Sequence, residues 1–548
     1  MLKKIKIFYQ KLLSLKYNFF LDNHTKKYIK FNKSKFLNSS SNNEHKGIIL
    51  IDFFDWKPFI FFWSILANYL RNKNNLQIKY FYFPLYEGIS SNHLIFKKPL
   101  KKIYESFGSK LGLTNVGKYL NNEEVKKFER YFYKIKSKEQ LIKYKFKNIL
   151  LGDLIYDSVV RTYQLPTVDL FDQRLKKKFI EAHQIFILIE EYLQKNNVKY
   201  LIPSDCVYNQ YGIITRICFS KKIKVLILYN LGRGMVNFKL STYKSDIKSN
   251  KNPYHKYKLI FKRKFVNANR YKALKIGKKL LHSRVLGRSK HGINYLNKNP
   301  FLDSKSKNKN KLFYKNSYQC VIVLHNFFDA PHKYRSLFYN DYLEWVIDTI
   351  NILKHKNINC YIKFHPIKIE QSADEKAYKI ISSKIKNLQN FKILQSNISY
   401  VELVNNGLKA AITCHGTVAN ELPYYGIKVI NCGDNPHINY KFSSHPKSRV
   451  QYKHIIQNIE NLKLNISLSE LYEFHYLNYF YFEDSYLKNR LNSNWLTKTS
   501  KKKKNEENIE FNNSSKYFDF IIKNEKKNNI IKKIEKYVDE YITNNVAY

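Results

Sequence analysis

Two short, largely apolar runs, residues 409–413 and 428–432, are separated by residues 414–427 within the stretch AAITCHGTVANELPYYGIKVINCGDNPH, which spans Ala410 to His437. A connection of that length suits a helical crossover between parallel strands, where an antiparallel pair would need only a tight turn. Gly416-Thr417 opens a segment that can be helical to about Leu422. Pro423 would clash inside a longer helix, so the helix must be short, kinked or finished there. Gly426 is placed to take the left-handed position that follows a helix. The turn from Cys414 to Thr417 then presents backbone N–H groups at a helix start, where a phosphate can bind. A plain strand–helix–strand crossover would read the same way.

The same alternation recurs along the chain. A strand at 47–52, a loop at 53–57, a helix at 59–70 begun by Pro58, and a strand at 77–83 form a β-loop-α-β opening, without a G-x-G-x-x-G fingerprint. Helices at 150–163 and 176–194, a strand at 198–203, a helix at 211–220 and a strand at 224–229 complete this half. A second series runs through strands at 319–324, 360–364 and 391–394, with helices at 341–354, 373–385 and 400–406. The spacing predicts an α/β protein with two Rossmann-like domains and extra helices at both termini.

The expected division is a basic N-terminal helix and loop (1–46), a first Rossmann-like domain (47–300), a linker (301–318), a second Rossmann-like domain (319–497), and a polar linker with a C-terminal helix (498–548). The polar run at 304–311 motivates the first linker and the run at 501–516 the second. Residues 2–21 carry Ile5, Phe8, Leu12, Leu15 and Phe19 at helical spacing among lysines. Such a helix can lie on anionic lipid or pack on the protein itself. Residues 22–46 are polar and read as a loop.

Composition narrows the partners. The chain has 97 Lys and Arg against 43 Asp and Glu, a net charge of +54. Nucleic acid would suit that balance. However, the lysines are spread over the whole length and accompany many Asn, Ile, Tyr and Phe, a mixture that A/T-rich codons produce by themselves, so nucleic acid is disfavoured. An anionic membrane surface or an anionic nucleotide fits the charge equally well. The six cysteines show no C-x-x-C pair or zinc-like spacing, which suits reduced thiols in the cytoplasm. Residues 59–70, the longest apolar stretch, are too few to span a bilayer. Lysines interrupt every apolar region near the start, so no secretory signal is expected.

In open α/β sheets ligands sit at the carboxyl ends of the strands. Three ends in the second half carry polar residues: His325 with Asp329 and His332 after the first strand, Lys363, His365 and Pro366 after the second, and His415, Gly416 and Thr417 with Glu421 one turn further on. Histidines and a free helix start make a reasonable phosphate site, although each histidine alone is more often structural. In the first half, Asp52 and Asp55 follow one strand and Asp205 another. Asp55 lies further into its loop and is the candidate general base, with Asp205 as a rival.

The Lys363-Phe364-His365-Pro366 element, followed by the Gly416-Thr417 turn with Glu421, resembles the capsule polysaccharide biosynthesis glycosyltransferases of the GT-B fold (Kdo-transferase-like). More distantly it resembles the CDP-glycerol glycerophosphotransferases. The resemblance is best over 319–450 and only architectural over 47–230. It implies two domains facing a cleft, His365 acting on the donor phosphate, and Glu421 holding the nucleotide ribose, with Lys363, Gly416 and Thr417 assisting. It also implies no cofactor. With no Asp-x-Asp at a strand end of the second half, the helix start, Lys363 and His365 would do the work of a metal. The expected partners are a nucleotide-sugar donor, with a CMP-sugar favoured, and a glycan or lipid-linked acceptor at the inner face of the cytoplasmic membrane. Glycerophosphate or polyol-phosphate transfer, sugar-nucleotide epimerisation, and a non-catalytic basic protein binding nucleic acid or membrane remain the alternatives.

Overall fold

The computed structural model describes residues 21–37, 44–84, 98–230, 238–242, 257–286, 301, 312–313, 317–333, 337–365, 373–394, 398–433, 435, 437–481 and 514–545. The expected N-terminal amphipathic helix and Pro366 lie outside them.

Thirteen strands are described. In the first half they are β1 (Ile48–Asp52), β2 (Gln77–Tyr82), β3 (Lys110–Thr114), the short β4 (Lys145–Phe146) and β5 (Ile149–Leu150), β6 (Val198–Ile202), β7 (Lys224–Asn230) and β8 (Phe238–Thr242). In the second they are β9 (Gln319–Val323), β10 (Asn359–Lys363), β11 (Phe391–Ile393), β12 (Leu408–Thr413) and β13 (Lys428–Asn431). The first main sheet has the order β3-β2-β1-β6-β7-β8 and the second β11-β10-β9-β12-β13. Every pairing in the second is parallel, while in the first only β8 runs antiparallel. The expected α/β class with two Rossmann-like sheets is therefore what the chain adopts.

Central strands are largely apolar because helices cover both faces. All five residues of β1 are buried. One face of the first sheet packs Ile49, Ile51 and Tyr80 against the helix Lys57–Asn74, and the other packs Leu50, Phe81 and Leu201 against the helices Gly152–Tyr163 and Gln173–Lys195.

Three regions differ from the sequence expectation. The loop expected at 22–46 contains a helix, Asn23–Phe36, capped by Asp22 accepting from the Thr25 N–H. Its buried residues Thr25, Tyr28, Asn32 and Phe36 recur at helical spacing, but lysines and asparagines between them hide the stripe. Its partner comes from the far end of the chain: Tyr28 stacks on Phe518 with ring centroids 4.0 Å apart. The C-terminal helices Lys516–Asn528 and Ile530–Asn545 thus close the first sheet's core, with Phe518, Ile534 and Val538 buried among its residues.

The third difference concerns the helices Tyr257–Lys264 and Asn267–Val285, expected with the first half. Phe261, Ala273, Leu281 and Val285 instead share a core with Val321, Ala411 and Val429 of the second sheet. Gly277 shows how closely the second of these helices lies on the helix Leu468–Tyr476: a Cβ there would meet the Tyr472 carbonyl oxygen at 1.9 Å.

Candidate active site

In the second sheet β9 is flanked by β10 on one side and β12 on the other, so the connections leaving β9 and β12 diverge and open a crevice at their carboxyl ends. His325 follows β9, His365 follows β10 and His415 follows β12. The His325 ring centroid lies 6.3 Å from that of His365 and 6.2 Å from that of His415. Tyr342 completes the group, stacked on His325 at 4.9 Å and edge-on to His415 at 6.1 Å. Asp341 holds Tyr342 in place by capping the helix Tyr342–Leu353 through the Glu344 N–H. The loop bearing His325 is tied to its neighbours by Leu324 N–H donating to the Lys363 carbonyl and Phe327 N–H to Asp374, 2.9 and 3.0 Å respectively.

Burial, with His325 beside it, pushes the His365 imidazole down to about 4. It is therefore neutral near pH 7 and offers one N–H donor and one acceptor nitrogen.

The crossover after His415 is shorter than a full helix. Val418–Glu421 is a single α turn that continues as the 3-10 turn Leu422–Tyr425, with Pro423 in its first positions and Gly426 left-handed at φ +77°. A short helix and a left-handed glycine are what the sequence required. One turn aligns few peptide dipoles, so its N-terminal field is weak. Gly416 is confined as well, since a Cβ would lie 2.8 Å from Thr413 Oγ1. Thr417 precedes the turn without a side-chain cap.

Glu421 is buried, and its Oε1 accepts from Arg284 Nε at 2.7 Å. Among the described residues its other oxygen accepts no hydrogen bond. Arg284 belongs to the helix Asn267–Val285, 137 positions earlier in the chain. Tyr400 lies close to both members of the pair.

Lys363 is on the Tyr400 side of the site, its ammonium 5.5 Å from that ring centroid. It donates to the Ile398 carbonyl at 2.6 Å, and burial pushes it down to about 8. The expected Lys363–His365 pair thus divides: the imidazole joins the other histidines, while the ammonium is held by a backbone carbonyl.

No family model and no curated protein matches the sequence. Among solved structures the chain is similar to the beta Kdo 2,4 transferase KpsC of Thermosulfurimonas dismutans, at 11% identity and a TM-score of 0.29, over 50% of this chain and 79% of that one. It is similar to the beta Kdo 2,7 transferase KpsC of the same organism at 14% identity and a TM-score of 0.30, over 54% and 86%. A UDP-GlcNAc 2-epimerase from Neisseria meningitidis, bound to UDP-GlcNAc, is similar at 11% identity and a TM-score of 0.23, over 78% and 93%. Likeness at this level carries no assignment for this chain.

On the other side, the first sheet's divergence point lies between β1 and β6. Asp52, at the end of β1, is buried and accepts from both the hydroxyl and the N–H of Ser204. Burial raises its carboxyl to about 7 despite those two bonds. Asp55, the expected base, is half-exposed and paired with Lys57. Asp205 accepts from the Cys206 N–H at 2.7 Å.

The two halves meet through these same loops. Tyr208 packs against Ala330, and both are left-handed without being glycine, at φ +62° and +38°. His332 Nδ1 bonds Asp157 at 2.7 Å, both side chains buried. Burial alone would lower His332, but the Asp157 carboxylate outweighs it and the imidazole is raised. Asp341 accepts from Tyr156, Thr167 and Lys138, all in the first half.

Sequence reasoning missed Tyr342 and Arg284 as site residues. Neither lies near a motif, and Arg284 sits in a lysine-rich helix with nothing to distinguish it. The one available signal was Glu421 within a largely apolar crossover, since a carboxylate buried there needs a cationic or donating partner somewhere.

Proposed function

We propose that the chain is a GT-B-type glycosyltransferase of surface polysaccharide assembly that draws its sugar from a nucleotide-activated donor, a CMP-sugar being favoured. The observation that carries this reading is the convergence of His325, His365 and His415 at three strand ends of the second sheet, with the buried Glu421 in the turn that follows His415. Three imidazoles can donate to phosphate oxygens, and a carboxylate with a free oxygen can accept from a ribose hydroxyl. An arriving phosphate would raise the neutral His365 and make its hydrogen bond charge-assisted as the sugar–phosphate bond breaks. Arg284 fixes the Glu421 carboxylate for the diol, and Gly416 and Thr417 shape the turn between the two groups.

On the acceptor side the reading shifts from Asp55 to Asp52. Asp55 is neutralised by Lys57, whereas Asp52 is tuned to about 7, the range in which a general base works best. The acceptor would be a glycan or lipid-linked chain at the inner membrane face. No described helix is long and apolar enough to cross a membrane, so attachment would be peripheral.

The test is binding of CMP, CDP, UDP and GDP to the wild type, His365→Ala and Glu421→Gln. Loss of a charge-assisted contact should weaken the preferred nucleotide by about ten- to a hundredfold. Preference for UDP or GDP would overturn the donor, and indifference of both variants to every nucleotide would overturn the site.

A further inference from the structure

Between Ile247 and Leu302 the chain has sixteen Lys or Arg and no Asp or Glu. The excess of lysine elsewhere does not explain this: at the chain-wide ratio of 43 acids to 97 bases, sixteen cations would bring about seven acids. The described part of the stretch is the helical pair Tyr257–Lys264 and Asn267–Val285.

The inner side of the pair is fixed to the second half. Tyr257, Phe261, Ala273, Leu281 and Val285 are buried, and Lys258, near the inner edge, pairs with Glu470. The outer side exposes eight cations between Lys262 and Lys279. Among the described residues none of those eight forms an ion pair. Apolar side chains stand out beside them: Tyr271 is 71% exposed, Val266 57%, Leu286 47% and Leu259 46%.

We infer that this helical pair is the surface by which the protein docks on an anionic lipid bilayer. Interfacial helices combine lysines facing anionic headgroups with aromatic and aliphatic side chains that enter the headgroup layer. The exposed surface here has both. A nucleic acid would neutralise the cations but give Val266, Leu259 and Leu286 nothing to bury. Nineteen helical residues span about 28 Å, enough to lie along a membrane. The same helix carries Arg284 in its last turn, where its guanidinium holds Glu421. Docking would therefore set the candidate donor site within one helix length of the lipid.

The inference rests on the peripheral-membrane part of the proposed function and names its surface, separately from residues 2–21. Its test is sedimentation of the full chain with phosphatidylcholine vesicles, with and without phosphatidylglycerol. The variants are Lys275→Glu/Lys278→Glu/Lys279→Glu, the milder Lys→Gln triple at the same positions, Tyr271→Ser/Val266→Ser, and a control reversal at the exposed Lys126 and Lys127. Each lysine near an anionic surface contributes about 1 kcal/mol, so the Glu triple should lower partitioning by at least about a hundredfold. The Gln triple and the apolar pair should lower it less, and the control should bind like the wild type. Far-ultraviolet circular dichroism and thermal unfolding of the same proteins show that the variants are folded, and nucleotide binding is measured beside them. It separates the two readings, because loss of vesicle binding with nucleotide affinity intact supports the surface whatever the donor is. Vesicle binding unchanged in the Glu triple, equal binding to pure phosphatidylcholine, or no binding by the wild type would overturn it. So would duplex DNA bound more tightly than the vesicles and lost in the same triple.

Discussion

At the divergence point of the first sheet, β1 and β6 part around Asp52 and Ser204, while at that of the second, β9 and β12 part around His325 and His415. The strand orders correspond, yet the chemistry is opposite in sign. Burial favours the neutral form of one group at each place, raising the Asp52 carboxyl to about 7 and lowering the His365 imidazole to about 4. Of the charged groups at the second, Asp329 acts on His365 and partly offsets the effect of burial, Arg284 and Glu421 pair with each other, and Lys363 is held by a carbonyl. The comparison teaches that this topology supplies a crevice and leaves its contents to the residues at the strand ends. In its ionised form Asp52 can take a proton from an acceptor, and its raised proton affinity makes it a stronger base than an ordinary carboxylate. The neutral His365 imidazole can donate a hydrogen bond to an incoming phosphate.

The largest expected effect would break the comparison on the histidine side. Glu421→Ala leaves Arg284 buried without its partner and should cost about 3–5 kcal/mol in the stability of the second half. Arg284→Met added to it should recover much of that loss, because the stranded charge is then removed. Thermal unfolding followed by near-ultraviolet circular dichroism reads both. A Glu421→Ala protein as stable as the wild type would show that the pair contributes nothing to the fold.

A somewhat smaller effect should appear at Asp52, and its sign follows from protonation. The folded carboxyl titrates at about 7 and an unfolded one near 3.9, so between those values the unfolded chain binds fewer protons. The favourable contribution of the neutral carboxyl is complete below about pH 4 and is lost as the pH rises through about 7. Asp52→Asn abolishes that titration. Its stability relative to wild type should rise from pH 4 to pH 8 by no more than about 4 kcal/mol. Parallel stability curves for the two proteins would contradict a raised carboxyl.

Asp55→Ala should have the smallest effect and sharpens the comparison within one loop. Asp55 itself is open to solvent although Lys57 is less so, and removing an ion pair with one solvated member should change stability by less than about 1 kcal/mol. If Asp52 is the base, turnover should also survive this change and fail in Asp52→Asn. The reverse pattern would return the role to Asp55.

Much of the framework was legible in the residues. Short apolar runs spaced by helix-length segments specify parallel strands with crossovers, and they fell within a residue or two of β1, β2, β6, β7 and the five strands of the second sheet. The three histidines were legible for the same reason, because a polar residue directly after a buried strand is carried to the sheet's carboxyl edge. Gly426 and Pro423 dictated their turn through backbone conformation alone. All of these are local constraints, set by neighbours within a few residues.

What the tertiary structure decided depends on partners far apart in sequence. The helix Asn23–Phe36 is stabilised by a C-terminal helix, and its own polar composition conceals the buried stripe. The pair at 257–285 belongs with the second sheet because Gly277 and Ala273 admit the helix Leu468–Tyr476, and small residues signal a close neighbour without naming it. Lys363 is two positions from His365, yet its long side chain finds the Ile398 carbonyl, while Glu421 finds Arg284. A buried charge must be satisfied by whatever group the fold brings near it, and a one-dimensional pattern holds no record of that distance.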